Sequence, residues 1–545
     1  MKLEPELLNT SFLDKHDFNA IFNAHGLYNT EQFVLRLSAK NHFLIDEILE
    51  QGFDRNNVSD NVLQAYSTYL HETIHWWQHI GSTSGFVLSL CYPLQTLANI
   101  NFIKDLCALG SVRKPIKEVA KKGELDGKTH NDPRQALLNT IINNTMDIEL
   151  YKHWLLKPEN SIDIFNNDYF ESAGHCFNIV YSNVSLRAAE IIDPNFSIIN
   201  HPNSWESEFS KLESERVVGY YYGSPMLNRK VGIVEIFEGQ ASFSQMQFLA
   251  NIRMNSSSLQ DFRSVGMLHG VYEKAFNLFI YLTEFECPSS VLSPTVSLFL
   301  LICDLSINPV EGFPCDIKDF KNFVNHADPG VRFQLLCFAA KGLGKGICDD
   351  IKEHSKTEYL KLSSELLDAA GLQKITEGWD VITMWLDMIP GLNELMVEHR
   401  EFSFKQENSM LRILLSSFVS FTQDKKNNPE FFCWPGYWKT NSSQGDNVES
   451  LWLRNLSMFS DKEGDDGIFI RHFKGKSKEN LRSTLNNFFG NNLICDLSRQ
   501  WVLKDGAFSF DFRWLSESIT EVEWKEWADL SFEKQYGVKI SSIDF

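Results

Sequence analysis

Ten residues, LHETIHWWQH from Leu70 to His79, constrain this chain more than any other stretch. They set His71 and His75 four apart, with Glu72 directly after the first. On a helix, positions four apart stack on one face, so both imidazoles can turn to one ion at roughly 2.0–2.1 Å while Glu72 projects beside them. The flanks predict that helix. Ser59 and Asp60 are N-cap residues, Gly81 is a stop, and an amphipathic pattern runs from about Asn61 to Ile80. In an HExxH arrangement the glutamate is not a ligand but a general base, acting on a water whose pKa the metal lowers.

Two histidines do not close a catalytic site, because a third protein ligand must leave one position for water or substrate. His79 cannot supply it: two further turns put it about 12 Å along the axis from His71 at 1.5 Å per residue. The extended HExxHxxGxxH pattern is absent, since Gln78 stands where it needs glycine and Gly81 where it needs histidine. The better source is VGIVEIFEGQASF, a helical, apolar stretch with Glu235 and Glu238 three apart. Gly239 and Ala241 follow Glu238, and residues this small allow a second helix to approach closely. Glu235, on nearly the same face, is its rival as ligand or as acceptor for a histidine N–H.

The pair HETIH and EGQA resembles the gluzincins, zinc metallopeptidases in which a glutamate on a second helix completes the site and is often followed by Gly-x-Ala. That resemblance implies Zn2+ held by His71, His75 and Glu238, Glu72 as general base, and hydrolysis of a peptide bond in a protein or peptide substrate. It implies a zincin-like core, with an active-site helix inside a large helical surround. It rests on two short motifs and departs from better-known members in three ways. The motifs lie about 160 residues apart, no amine-anchoring motif of the aminopeptidases precedes HETIH, and Ser242 stands where some members carry an orienting Asp. Subfamily and substrate therefore stay open. Hydrolysis also needs a donor to the developing oxyanion. The resemblance puts it on a segment after the ligand helix, which favours His269 and Tyr272 over Tyr220, Tyr221 and Tyr222 ahead of it.

The rest of the chain reads as mainly α, of an α+β kind. EQFVLRLS and NHFLIDEIL are expected to form a small N-terminal sheet, and helical patterns then run to about residue 400. They are broken by a basic, turn-rich stretch from Ser111 to Gln135, expected to be a solvated loop. Beyond Arg400 turn residues and aromatics accumulate, and FSFDFRW alternates like a strand. Residues 1–400 are thus expected to form the metallopeptidase domain with helical insertions, and 401–545 a mixed α/β accessory or regulatory region that a protein partner could engage.

Other function classes fall away. A formal net charge of −20 argues against a broad nucleic-acid or anionic-membrane surface. The apolar segments from Gly85 and Ser293 are interrupted or short, so both read as buried core helices and not as spans. Ten scattered cysteines without a CxxC pair, and a first segment without an apolar run, suit a reducing cytoplasm. DKEGDDGIFIRH fails as an EF-hand, because Asp466 and His472 fall where glycine and glutamate are required. KGLGKG lacks the ending of a P-loop and reads as a helix-end turn, and GSTSG has Thr83 where a nucleophile elbow needs serine. The competing reading is a helical binding or scaffold protein whose metal site is structural or vestigial. A further one keeps the metal and changes the bond cut to another amide.

Overall fold

The computed structural model describes residues 33–35, 37, 41–45, 58–110, 112–156, 158–225, 229–252, 258–440, 445–461, 468–471, 473 and 475–545. The histidine helix α1 (Asp60–Gly81) begins where Ser59 accepts the Val62 amide at 3.4 Å, and it ends against Ser82. Ser82 in turn caps α2 (Thr83–Leu97), accepting the Gly85 amide at 3.0 Å. The glutamate helix α3 (Ile233–Ile252) lies along α1. Helices α4 (Val271–Thr283) and α5 (Pro294–Ser306) cover other sides of α3, and α6 (Ser409–Asn427) covers α1.

The expected amphipathic helix is instead interior: α1 is buried on all sides from Val62 to Gly81. A helix enclosed all round normally carries apolar side chains, so the polar groups of α1 must be satisfied from within the protein. Ser67 donates to the Gln64 carbonyl at 2.7 Å and accepts from Gln245 of α3 at 3.2 Å. Trp77 donates its indole N–H to the Asn455 carbonyl at 2.8 Å.

The sheet differs from expectation in its origin. It has three strands in the order β1 (Val34–Leu35), β2 (Phe459–Asp461), β3 (Ile468–Ile470), with β1–β2 parallel and β2–β3 antiparallel. Among the described residues only one strand is N-terminal, and residues 41–45 of NHFLIDEIL are helical. FSFDFRW forms no strand. Its alternation reports burial, since Phe510 and Phe512 point inward and Phe512 meets Trp524 edge-on at 5.5 Å. The basic stretch is not a plain loop either. It contains a helix, Ile116–Leu125, and Lys114 is buried with its ammonium donating to the Lys504 and Gly506 carbonyls at 2.7 and 2.6 Å.

Thr83–Ala108 is long and apolar enough to cross a membrane, but 72% of its most apolar window is buried inside the protein. Pro294–Ser306 is likewise core. The apolar core crosses residue 400 without a break: Phe418 of α6 stacks on Phe86 of α2 at 4.5 Å. KGLGKG is the helix-end turn expected, Gly344 capping Pro329–Leu343 at φ +85°. Residues 462–467 and 472 of the rejected calcium-loop segment lie outside the described residues.

Two predictions follow from this packing. A Cβ on Gly85 would lie 1.9 Å from the Gln78 carbonyl oxygen, so α1 and α2 can turn so tightly only with glycine there. Gly85→Ala should destabilise the protein by about 3 kcal/mol or more in denaturant titration. His354 and His399, placed against Ser297 and Ser416, are held neutral by burial, which pulls each from 6.5 to about 4. A histidine whose folded pKa lies below its unfolded value stabilises fully above the unfolded pKa and progressively less as pH falls toward the folded one. Unfolding free energy should therefore drop by a few kcal/mol between pH 6.5 and 4, and Ser297→Ala or Ser416→Ala should leave the sign of that slope unchanged.

Candidate metal centre

His71 and His75 project from α1 toward Glu238 of α3. The two Nε2 atoms lie 3.1 Å apart, and each is 3.4 Å from Glu238 Oε2. Donors bound tetrahedrally at 2.0–2.1 Å stand about 3.3–3.4 Å from one another, so these separations trace one face of such a polyhedron. All three side chains are buried, and among the described residues this is the one group of His, Cys, Asp or Glu donors placed to hold a metal ion. Two nitrogens and one carboxylate oxygen suit a divalent transition metal.

The electrostatics agree with the geometry. Burial works against the charge on Glu238, yet His75 and His71 hold its carboxyl down at about 2. Burial likewise opposes the imidazolium of His75, and Glu238 with Glu72 carries it up to about 9. His71 goes the other way: burial and the neighbouring His75 charge lower it, against the pull of Glu238. The surroundings of Glu238 thus favour a positive charge at the place a cation would take, and metal binding would displace any proton held there. Glu72 lies at the edge of this group. Burial pushes its carboxyl up to about 8, with His75 opposing and Glu238 and Asp461 adding to the rise. A cation among the three donors would favour its ionised form.

The sequence reading missed what holds the imidazoles in place. His75 Nδ1 lies 2.8 Å from Gln78 Oε1, an acceptor that fixes the Nδ1–H tautomer and leaves Nε2 to face Glu238. The amide nitrogen of Gln78 then donates to the Phe237 carbonyl at 3.0 Å and to Gln240 Oε1 at 2.9 Å. Gln78 therefore binds α1 to the turn of α3 that carries Glu238. Its signal was its place one turn after His75, where it could be seen only as a missing glycine. Gln245 lies near His71, with its amide held by Ser67.

Glu235, the rival ligand, is occupied elsewhere, accepting from the Gly232 amide at 2.8 Å and from Lys274 at 2.9 Å. Tyr272, at the start of α4, has its ring 6.2 Å from that of His71. Burial, then Glu238 and Glu72, keep its hydroxyl protonated well beyond the ordinary range. His269 does not enter the group: it is exposed and lies behind Tyr272, ring centres 5.5 Å apart. Tyr220 donates to the Phe320 carbonyl at 2.7 Å, Tyr222 is exposed, and His79 packs edge-on against Phe237 at 5.1 Å.

No protein-family model matches this chain, and no curated protein or solved structure is significantly similar to it.

Removing Gln78's side chain should loosen the centre without removing a ligand. Gln78→Ala should weaken Zn2+ binding about 10–100-fold in a chelator-competition titration. Gln240→Ala, which leaves the contact to His75 in place, should cost clearly less.

Proposed function

We propose that this chain is a zinc-dependent peptide-bond hydrolase with a zincin-like core, related in design to the gluzincins. The observation that carries the reading is the convergence of His71, His75 and Glu238 with Glu72 directly beside them. Zinc bound there would act as a Lewis acid and lower the pKa of a water in the remaining position. Glu72 takes the proton of the attacking water, and its low-dielectric surroundings suit it to hold that proton and pass it to the leaving amine. Tyr272, whose hydroxyl burial keeps protonated and whose ring lies 6.2 Å from that of His71, would donate to the developing oxyanion, with the His269 ring 5.5 Å from its own. Ten free thiols suit a reducing compartment, so a cytoplasmic location belongs to the same proposal.

The burial of all three donors also favours a second reading. In it the ion clamps α1 to α3 and no bond is cut. The two are separable by experiment. If the protein is a hydrolase, Glu72→Gln should retain one equivalent of zinc and lose at least about a hundredfold in turnover of a peptide library. His75→Ala should lose both metal and turnover. If the ion is structural, the wild type cuts nothing in the library, and chelation lowers the melting temperature while Glu72→Gln behaves as wild type in both measurements.

A further inference from the structure

A cavity of about 190 Å³ lies against α1 on the side away from His71 and His75, with His399 in its lining. Trp76 and Ile80 line it, and at 100° per residue they sit about 140° and 180° around the helix from His71. The opposite wall brings Leu456, Met458 and two cations, Arg400 and Lys476. We propose that this cavity is a binding site for a small molecule that carries an oxyanion on a single ring-sized apolar body.

Charge supports the headgroup. The chain as a whole is strongly acidic, yet at this cavity the balance is reversed. Arg454, also in the lining, is neutralised by a two-pronged pair with Asp424 at 2.6 Å on both oxygens. Arg400 and Lys476 have no carboxylate partner among the described residues, and both bring positive charge to the lining. Two cations beside a largely apolar lining attract an anion more strongly than they would in open water. Ser417 and Ser420, at the α6 side, add hydroxyl donors.

Size and polarity support the body. The lining is more apolar than polar, with Phe402 and Phe473 closing it beside Trp76. An apolar protein cavity of roughly 150 Å³ takes benzene, so this one has room for one ring and little more. Because α1 forms one wall, an occupant would press on the helix that carries His71 and His75. Binding itself does not depend on the peptidase reading or on any metal.

Calorimetric titration of the full-length, metal-free chain with phenyl phosphate tests the proposal. One site is expected, with a Kd of about 1 mM or tighter. Arg400→Ala together with Lys476→Ala should weaken it about tenfold or more, and Ser420→Phe, which fills the space and leaves both cations, should abolish it. Benzyl alcohol, without the charge, and inorganic phosphate, without the ring, should each bind at least about tenfold more weakly. Circular dichroism melts of the variants confirm that they fold. Absence of phenyl phosphate binding, binding that survives Ser420→Phe or the double alanine variant, or inorganic phosphate binding as tightly would each overturn the proposal.

Discussion

Glu238 places a carboxylate where almost no water reaches it, and that buried charge fixes much of what surrounds it. Its exposure is 1%. An ion taken so far from solvent costs several kcal/mol unless a counter-charge and hydrogen bonds meet it at close range. The groups in reach are the two imidazoles of α1, both at 3.4 Å. Helices α1 and α3 can therefore dock in one register only, the one that brings residues 71, 75 and 238 together. Gln78 enforces the same register by a separate route, joining His75 to the carbonyl of the residue just before Glu238. Orientation of the ligands and docking of the helices are a single interaction network.

A site built this way has to lie inside the protein, and the architecture follows from that. Helix α1 is walled by α2, α3 and α6 and by the segment around Asn455, and Ser67, Trp77 and Gln78 find partners in those walls. The region after residue 400 is part of the enclosure. Phe421 of α6 packs close enough to fill the space that a side chain on Gly81 would need, and Asp461 of β2 contributes to the field that Glu72 feels. Changes far down the sequence can thus reach Glu72 directly.

Local signals were legible in the sequence and non-local ones were not. Ser59 and Gly81 marked the ends of α1 because capping and termination depend on a few neighbouring residues. The spacing of His71 and His75, and the choice of Glu238 as their partner, likewise survive inspection of the geometry. The sheet could not be read, because β1 pairs with a strand 425 residues later, Val34 with Phe459, and no pattern in either segment names the other. FSFDFRW shows the same limit from the other side: alternation signals which side chains are buried, while a strand also needs a neighbour. His269 and Tyr272 were named together because both follow the glutamate helix. Gly270, at φ +53°, starts α4 between them and leaves the histidine outside.

The Gly-x-Ala after Glu238 pointed to the carboxylate that meets the two histidines, for a reason that the structure redraws. Close approach to the histidine helix was the expected use of Gly239. A Cβ there would instead meet Phe299 of α5 at 3.2 Å and the Ala275 side chain of α4 at 3.5 Å, so the small residue faces away from α1. Ala275 lies one turn after Tyr272 on α4. The contact that the glycine permits is therefore what seats α4 against α3 and carries the tyrosine ring to within 6.2 Å of His71. Glu238 and Gly239 divide the work of one helical turn. The carboxylate reaches inward to the histidines, and the missing side chain draws in the helix that carries Tyr272.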